Sequence, residues 1–223
     1  MMYKMPDSCQ IKNLAELYEK YFSFVIGATF VDVGAHDGFT FSNTYGLAEA
    51  GWAGVCYEPM PNLYESCRNL HVSKCHNVAT INKCVGNSEG TVRLYTSSNP
   101  TIDLETVERS PWDEKYDDTK FIMSEVTTLN KSLEELQIPK KFEVLSIDVE
   151  GAELQVLAGF DIMEWLPRMV IVETHENHPD KRKSFHSDAI NAYFIDKPYV
   201  KIQTDGLNTI WIHEDLNTVQ PSS

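Results

Sequence analysis

Short apolar runs alternate with segments of helical periodicity along most of the chain. The runs at 29–33, 53–57, 144–149 and 169–173 contain β-branched or aromatic residues, and a glycine or a carboxylate stands at the end of each. Continuous apolar runs of this length are typical of strands buried on both faces of a parallel sheet. Helical spacing between them, as at 63–70, completes the alternation. The pattern predicts an α/β fold, a mostly parallel sheet with helices on both faces.

Both ends of the chain carry recognisable patterns. Apolar residues at helical spacing from Ile11 to Phe22, with Ser8 as a candidate N-cap, predict an N-terminal helix. Near the other end, strand-like segments at about 199–203 and 209–213 flank Asp205-Gly206, a dipeptide typical of hairpin turns. The sheet is therefore expected to end in an antiparallel hairpin.

The middle of the chain is less regular. Residues 78–85 predict one strand, and 91–95 predict the arm of a hairpin that follows a turn at Gly86. A helix is expected from about 41 to 49. Residues 97–120 are polar and acidic and show no periodicity, which indicates an exposed insertion or lid.

Length, charge and cysteine content narrow the classes of partner. The chain shows no internal repeat, so 1–223 is predicted to form one domain in which 1–25 is the N-terminal helical segment. The 19 basic and 33 acidic residues give a net charge of −14, which disfavours nucleic acid and anionic membranes. The five cysteines include no CxxC pair, so neither a disulfide framework nor a zinc site is expected. Without an apolar leader or spanning stretch, a cytoplasmic protein is expected.

The first candidate for chemistry is the loop at 31–38, between a predicted strand and a helix. Asp32 and Asp37 stand beside Gly34 and Gly38 in this loop. Glycines let the backbone approach a ligand. The two carboxylates would repel a phosphate and attract an ammonium or sulfonium group, because opposite charges interact strongly in a dry cleft. The loop therefore predicts a ligand with a positive charge at this end.

Glu58 is the second candidate because it ends the next strand, 20 residues after Gly38. A carboxylate at this spacing can accept hydrogen bonds from both hydroxyls of a ribose. The alternative is an exposed acidic residue in a turn before Pro59. Together with the loop at 31–38, Glu58 indicates a nucleoside with a cationic group and no phosphate. S-adenosylmethionine fits this description, and NAD fits it poorly.

Further acidic groups stand at the ends of two later strands. Asp148 closes one apolar run and Glu173 closes the next. A charge on an apolar strand is costly unless it is paired or used. Glu150 and Glu153 have a simpler alternative as N-cap carboxylates of the following helix. His175 is a candidate general base near neutral pH.

These motifs resemble the FkbM family of methyltransferases. The resemblance covers about residues 28 to 178 and lies in 31–38, Glu58-Pro59, 146–153, 157–160 and 171–173. It implies S-adenosylmethionine as the methyl donor and, commonly, O-methylation of hydroxyls on sugars or small natural products. It also implies a three-layer Rossmann-like methyltransferase fold, with a seven-stranded sheet that ends in an antiparallel hairpin.

The resemblance also implies roles for individual residues in cofactor binding. Asp32, Gly34 and Gly38 would lie along the methionine part, in a loop that also contains His36 and Asp37. Glu58 would hold the ribose, and Cys84-Val85 would lie beside the adenine. The insertion at 97–120 matches no motif of the family, and the choice of acceptor is expected to depend on it.

Two routes for removing the proton of the acceptor hydroxyl are open. Either Asp148, Glu173 or His175 acts as general base, or Asp148, Glu150 and Glu173 hold Mg²⁺, which lowers the pKa of the hydroxyl. We favour the metal-free route, with a small-molecule or saccharide acceptor. Two other classes are less consistent with the sequence. A catalytically silent cofactor-binding module is disfavoured because Asp32, Glu58 and Asp148 are all present, and an NAD-dependent oxidoreductase is disfavoured by Asp37.

Overall fold

The computed structural model describes residues 3–23, 25–95, 101–103, 121–176 and 187–217. The strands in chain order are β1 Thr29–Val33, β2 Ala53–Tyr57, β3 Val78–Ile81, β4 Cys84–Gly86, β5 Gly90–Tyr95, β6 Thr101–Asp103, β7 Phe121–Thr128, β8 Val144–Ile147, β9 Met169–Glu173, β10 Tyr199–Thr204 and β11 Asn208–His213. The helices are α1 Leu14–Phe22, α2 Tyr45–Glu49, α3 Pro61–Ser73, α4 Leu129–Glu135, α5 Glu153–Ala158, α6 Ile162–Trp165, α7 Ser187–Tyr193 and α8 Glu214–Asn217.

Seven strands form the central sheet in the order β10-β11-β9-β8-β1-β2-β3. The strands β9, β8, β1, β2 and β3 are parallel, whereas β11 is antiparallel to both β9 and β10. In the turn between the last two strands, Asp205 Oδ1 accepts hydrogen bonds from the backbone N–H groups of Leu207 at 3.0 Å and Asn208 at 2.8 Å. The predicted α/β sheet with its C-terminal antiparallel hairpin is confirmed.

Apolar side chains cover the sheet on both faces. The strands β1, β8 and β9 are buried along their whole lengths, as their unbroken apolar runs predict. One face packs with Trp165 and Leu133 from the helices, and the other packs with Tyr18 and Leu47. The carboxyl ends of the parallel strands remain uncovered by these two layers, so the polar residues found there can line a site.

The N-terminal helix is real but begins later than predicted. Helix α1 starts at Leu14 after Asn13, so Ser8 is not its N-cap. The Ser8 hydroxyl instead accepts a hydrogen bond from the N–H of Phe41 at 3.0 Å. The helix buries Tyr18 completely, and the phenol donates to the carbonyl of Asn43 at 2.8 Å. The N-terminal segment is therefore attached to the loop that precedes α2.

The helix expected from about 41 begins only at Tyr45. Phe41 has a left-handed φ of 59°, which helical backbone does not tolerate. The Ser42 hydroxyl accepts hydrogen bonds from the N–H groups of Thr44 at 3.2 Å and Tyr45 at 3.0 Å. This side-chain turn competes with helix formation over residues 41–44.

The single strand predicted at 78–85 is wrong, because the chain forms β3 and β4 in two different sheets. Asn82 lies at the break and donates to the carbonyls of Glu58 at 2.8 Å and Pro59 at 2.9 Å. The chain then enters a second sheet of order β4-β7-β5-β6. The strand predicted at 91–95 is present as β5, but the hairpin across a turn at Gly86 is wrong, because β5 pairs with β6 and β7 and not with β4. Strand β7 and helix α4 were not anticipated from the sequence.

Most of the predicted insertion at 97–120 lies outside the described residues. Its described part, β6, pairs antiparallel with β5. All five cysteines are free thiols. Within the described part of the chain, no helix has both the length and the apolar character needed to cross a bilayer. One domain over 1–223 stays a prediction.

Candidate active site

A cavity opens at the carboxyl ends of β1, β2 and β8. Its walls include eight of the residues that the sequence singled out: Asp32, Gly34, His36, Glu58, Cys84, Val85, Asp148 and Glu150. They are joined by residues that sequence reasoning missed: Gln10, Thr40, Phe41, Ser42, Asn43, Leu63, Lys83, Leu94 and Ser146. Because parallel strands present their carboxyl ends at the same edge of a sheet, the strand-end acids meet here.

Gly34 is required by the fold itself, not only by a ligand. Its φ is 91°, and a Cβ built on it would lie 1.7 Å from the carbonyl oxygen of Asp148. The two loops are joined at the same place by a hydrogen bond from the N–H of Asp148 to the carbonyl of Val33 at 2.9 Å. No side chain fits between these backbones, so this glycine sets the distance between the β1 and β8 ends of the site.

Asp32 is a buried carboxylate whose position is fixed by hydroxyl groups. It is 4% exposed, and its Oδ2 accepts a hydrogen bond from Thr44 Oγ1 at 2.6 Å. Burial raises the pKa of Asp32 to about 6, while the hydrogen bonds from Thr44 and Ser146 oppose the rise. Sequence reasoning had no signal for these two partners, since they come from α2's N-terminus and from β8.

Asp37 and Gly38 lie away from the cavity lining. Asp37 Oδ1 accepts from the N–H groups of Phe39 at 2.9 Å and Thr40 at 2.6 Å, and Oδ2 accepts from the Thr40 hydroxyl at 2.7 Å. Desolvation raises the pKa of Asp37, but these hydrogen bonds outweigh it and the net pKa is lowered. The carboxylate therefore closes a turn. The Cα of Gly38 faces the side chains of Cys67 and His71.

Glu58 is buried in the turn after β2, with 6% of its surface exposed. Its Oε2 accepts from the N–H of His36 at 2.9 Å, and its Oε1 accepts from the N–H of Met60 at 2.8 Å. Burial raises the pKa of Glu58 to about 7, against the effect of these two bonds. Each carboxylate oxygen keeps one lone pair for a further donor. Because Glu58 is buried, the alternative that it is an exposed acidic residue in a turn is wrong.

The three candidate bases form one row. Asp148 hydrogen-bonds Glu173 through the side chains, and Glu173 Oε1 lies 3.2 Å from His175 Nε2. Asp148 lines the cavity, whereas Glu173 and His175 are not among its lining residues. Desolvation, followed by repulsion between neighbouring carboxylates, raises the pKa values of Asp148 and Glu173 well above the usual range. Two carboxyls in such close contact titrate as a coupled pair, so the first proton leaves more easily than the second.

Glu150 and Glu153 differ in role. Neither is the N-cap of α5, because that position is Ala152. Glu153 is buried, and its Oε1 accepts from the N–H groups of Val149 at 3.2 Å and Gly151 at 3.0 Å, which holds the loop after β8. Glu150 lines the cavity. Within the described residues, Asp148, Glu150 and Glu173 do not form a compact ligand set.

The loops after three neighbouring strands contain left-handed residues other than glycine. His36 follows β1 with a φ of 52°, Glu150 follows β8 with 56°, and His175 follows β9 with 47°. Such backbone costs free energy and clusters at functional sites, where the surrounding structure enforces it. All three were selected from the sequence for their chemistry.

The sequence missed a second cluster, formed by Cys56, Cys67 and His71, which lies under Gly38. The sequence does contain one indication of this cluster. Cys67 and His71 are four residues apart, a spacing that places both side chains on the same face of a helix. A CxxC spacing does not cover this pattern, because its second ligand on the helix is a histidine and Cys56 lies on a separate strand.

Comparisons with known proteins agree with the fold and identify the family. Residues 32–199 match the model of the family described as Methyltransferase FkbM domain. Among solved structures, monomeric WbdD is 13% identical with a TM-score of 0.52, over 92% of this chain and 41% of that one. A methyltransferase from Geobacter sulfurreducens is 10% identical with a TM-score of 0.50, over 94% of this chain and 82% of that one. The chain thus spans about two fifths of WbdD. No curated protein matches the sequence significantly.

Proposed function

Because the chain belongs to the FkbM methyltransferase family, we propose that it transfers a methyl group from S-adenosylmethionine to a hydroxyl oxygen of a sugar or another small molecule. The observation that carries the proposal is the arrangement of carboxylates around one cavity. Asp32, Glu58 and Asp148 come from three neighbouring strand ends and line the same space.

The chemistry of the cavity walls suits this cofactor. Glu58 offers free lone pairs on both oxygens, as recognition of the two ribose hydroxyls requires. Val85 and Leu63 provide apolar surface for a purine ring. The cationic end fits near Asp32 and Asp148, because a dry cleft of negative character attracts a sulfonium.

The charge of the lining disfavours phosphate-bearing cofactors. Lys83 is a cation in the wall, and its Nζ is 2.9 Å from Glu125 Oε2, which offsets its charge. Asp32, Glu58, Asp148 and Glu150 are acidic. A pyrophosphate would meet repulsion from these groups in a cleft of low dielectric constant.

The row of Asp148, Glu173 and His175 supplies the path for the acceptor proton. When bound, S-adenosylmethionine supplies an activated methyl group. Asp148, the member of the row that faces the cavity, accepts the hydroxyl proton. The proton already shared between Asp148 and Glu173 then moves towards His175 Nε2, which lies 3.2 Å from Glu173 Oε1. One proton enters the row and one reaches the imidazole, so the number of protons balances.

This route needs no metal ion at the acceptor. In the described residues, Asp148, Glu150 and Glu173 do not each bring a carboxylate oxygen within 4.8 Å of the others. This arrangement favours the general-base route over a site in which all three bind Mg²⁺.

A ligand screen followed by an activity screen tests the function. S-adenosylhomocysteine should raise the melting temperature of the protein, and at 100 times its Kd the gain is about 2.7 kcal/mol. NAD should leave the melting temperature unchanged. Sugars and polyols are then screened with a labelled methyl donor. Stabilisation by NAD alone would support the oxidoreductase alternative, and cofactor binding without transfer to any acceptor would favour the silent module.

A further inference from the structure

Three side chains of residue types that can bind a metal meet in the core, beside the 31–38 loop. Cys56 comes from β2, and Cys67 and His71 come from one face of α3. They are 2%, 0% and 3% exposed. One ligand atom from each lies within 4.8 Å of the others, and Cys56 Sγ is 4.0 Å from His71 Nε2. None of the three lines the cavity.

A second, independent feature is the row of polar groups behind His71. His71 Nδ1 lies 2.9 Å from His76 Nδ1, and His76 Nε2 lies 3.6 Å from Glu49 Oε1. If the Nε2–H of His76 points to the Glu49 carboxylate, the Nδ1 of a neutral His76 is an acceptor. His71 then donates its Nδ1–H to His76, and its Nε2 lone pair faces the two sulfurs. A histidine that binds a metal is typically oriented by a carboxylate in this way.

We propose that Cys56, Cys67 and His71 bind a zinc ion. Thiolate and imidazole are preferred zinc ligands, and a water molecule would complete the tetrahedral coordination beside these three groups. Two thiolates, a neutral imidazole and a water give a complex of zero net charge, which suits a buried position. Bonds of about 2.3 Å to sulfur and 2.0 Å to nitrogen place two ligand atoms about 3.5 Å apart at a tetrahedral angle. The observed 4.0 Å closes to that value with a shift of about 0.5 Å.

Binding exchanges protons for the metal. Each thiol loses its proton as its sulfur bonds to Zn²⁺, so two protons are released to solvent for each ion bound. Asp32 lies opposite Cys56 in the register of β1 and β2, so its carboxylate adds negative potential beside the sulfur. That potential opposes a bare thiolate and favours a cation.

The place of the cluster indicates a structural role. A Cβ on Gly38 would lie 3.0 Å from Cys67 Sγ and 3.1 Å from His71 Nε2. The 31–38 loop therefore rests directly on the cluster. Zinc would join β2 to α3 under that loop and stabilise the loop without touching the reacting groups.

Metal content and affinity test the site in the intact protein. Purified wild type is incubated with Zn²⁺, passed through a desalting column and measured for zinc by mass spectrometry. Affinity is then measured by competition with a chromophoric chelator. We expect one zinc per chain. Cys67→Ser and Cys56→Ser should each weaken binding more than about 100-fold, and His76→Ala, which removes the orienting partner, roughly 10- to 100-fold.

Two other cysteines provide matched controls. Cys9 is buried and Cys75 is exposed. Cys9→Ser and Cys75→Ser should bind zinc like the wild type. Cd²⁺ in place of zinc should give the ultraviolet absorption of two cadmium–thiolate bonds in the wild type, halved in Cys67→Ser.

The measurements on the wild type test the proposal even if a variant fails to fold. Wild type that holds no zinc after desalting, and shows no cadmium–thiolate absorption, would overturn the proposal and leave three hydrogen-bonded core residues. Zinc binding that survives both Cys56→Ser and Cys67→Ser would overturn the assignment to this cluster. Selective binding of Cu⁺ without measurable Zn²⁺ binding would overturn the choice of zinc.

Discussion

The two halves of the site use carboxylates in opposite ways. On the β1–β2 side, Asp32 and Glu58 accept hydrogen bonds from hydroxyl and backbone donors. On the β8–β9 side, Asp148 and Glu173 hydrogen-bond each other, and His175 lies behind them. All four are acids at or next to the end of a strand, and burial raises the pKa of each.

The difference lies in what surrounds each carboxylate. Donors around Asp32 and Glu58 fix their orientation and limit the rise in their pKa values, which suits recognition of a ligand. Asp148 and Glu173 repel each other unless a proton lies between them. Such a pair is suited to accepting and passing on a proton. The same residue types at equivalent positions therefore serve binding on one side and proton transfer on the other.

The largest effect on stability is expected from a substitution that disrupts the backbone contact between the two halves. Gly34→Ala should destabilise the protein by roughly 4 kcal/mol or more, because the new Cβ collides with backbone. The predicted separation is 1.7 Å from the Asp148 carbonyl oxygen. The free energy of unfolding is measured in urea. Gly151→Ala is the control, since Gly151 also has a positive φ but has no atom within 4 Å of its Cβ position. Its cost should be about 1 to 3 kcal/mol, and an equal cost for both variants would contradict the contact.

Asp148→Asn should lower kcat by roughly 10²- to 10⁴-fold, because the amide cannot accept the acceptor proton. The affinity for S-adenosylhomocysteine should stay within a few-fold of wild type, since the substitution is nearly isosteric. Steady-state kinetics and calorimetry measure the two quantities. Asp161→Asn, at the N-cap of α6, is the isosteric control. Full activity in Asp148→Asn would remove this residue from the mechanism.

The pKa of Glu58 predicts a pH dependence of stability. The carboxyl titrates near 4.5 in an unfolded chain and near 7 in the folded protein. Between these values the folded state binds more protons, so the free energy of unfolding falls as pH rises, by roughly 3 kcal/mol at most from this group. Glu58→Gln should flatten the fall between pH 4.5 and pH 7, and the exposed Glu134→Gln should not. Identical slopes in all three proteins would show that the folded pKa is not raised.

Glu58→Gln should also weaken cofactor binding on the β1–β2 side. Loss of hydrogen bonds to a charged acceptor costs roughly 1.5 to 3 kcal/mol, which is roughly 10- to 150-fold in Kd. Calorimetry with S-adenosylhomocysteine measures the change against Glu65→Gln, an exposed acid on α3. An unchanged Kd in Glu58→Gln would show that Glu58 stabilises the turn and does not bind the cofactor.

The smallest expected effect concerns Mg²⁺. In metal-depleted buffer, added Mg²⁺ should change kcat by less than about two-fold, because the proton row needs no Lewis acid; a magnesium mechanism would depend on it by several kcal/mol. Strong activation by Mg²⁺ would replace the general-base route with the metal route.

The strand-end acids illustrate how far sequence can predict such a site. Continuous apolar runs identify buried parallel strands, and the carboxyl ends of such strands must meet at one edge, so Asp32, Glu58 and Asp148 could be placed together. The hydrogen-bond partners that distinguish the two halves come from tertiary contacts. Thr44 reaches Asp32 only because residues 41–44 form a turn where a helix was expected.

Two features of the fold show the same limit. The segment 78–85, which was predicted to be one strand, splits between two sheets, and at the break Asn82 donates hydrogen bonds to the carbonyls of Glu58 and Pro59. Cys56 and the Cys67–His71 pair meet through packing of β2 against α3, which no periodicity records. Local pattern therefore predicted the elements, whereas contacts between elements determined how each polar group is used.

Infrared spectroscopy of the carboxyl groups tests the central contrast most directly. Asp32 and Glu58 have pKa values of about 6 and 7, whereas desolvation and repulsion between neighbouring carboxylates raise the pKa values of Asp148 and Glu173 well above the usual range. As the pH rises, we therefore expect the Asp148–Glu173 pair to keep its proton after Asp32 and Glu58 have ionised. We predict a protonated carboxyl C=O band in the wild type that shifts in D₂O, persists in Asp32→Asn, and is shifted or lost in both Asp148→Asn and Glu173→Gln. A wild-type spectrum without that band, or a band that is unchanged in both pair variants, would contradict this contrast.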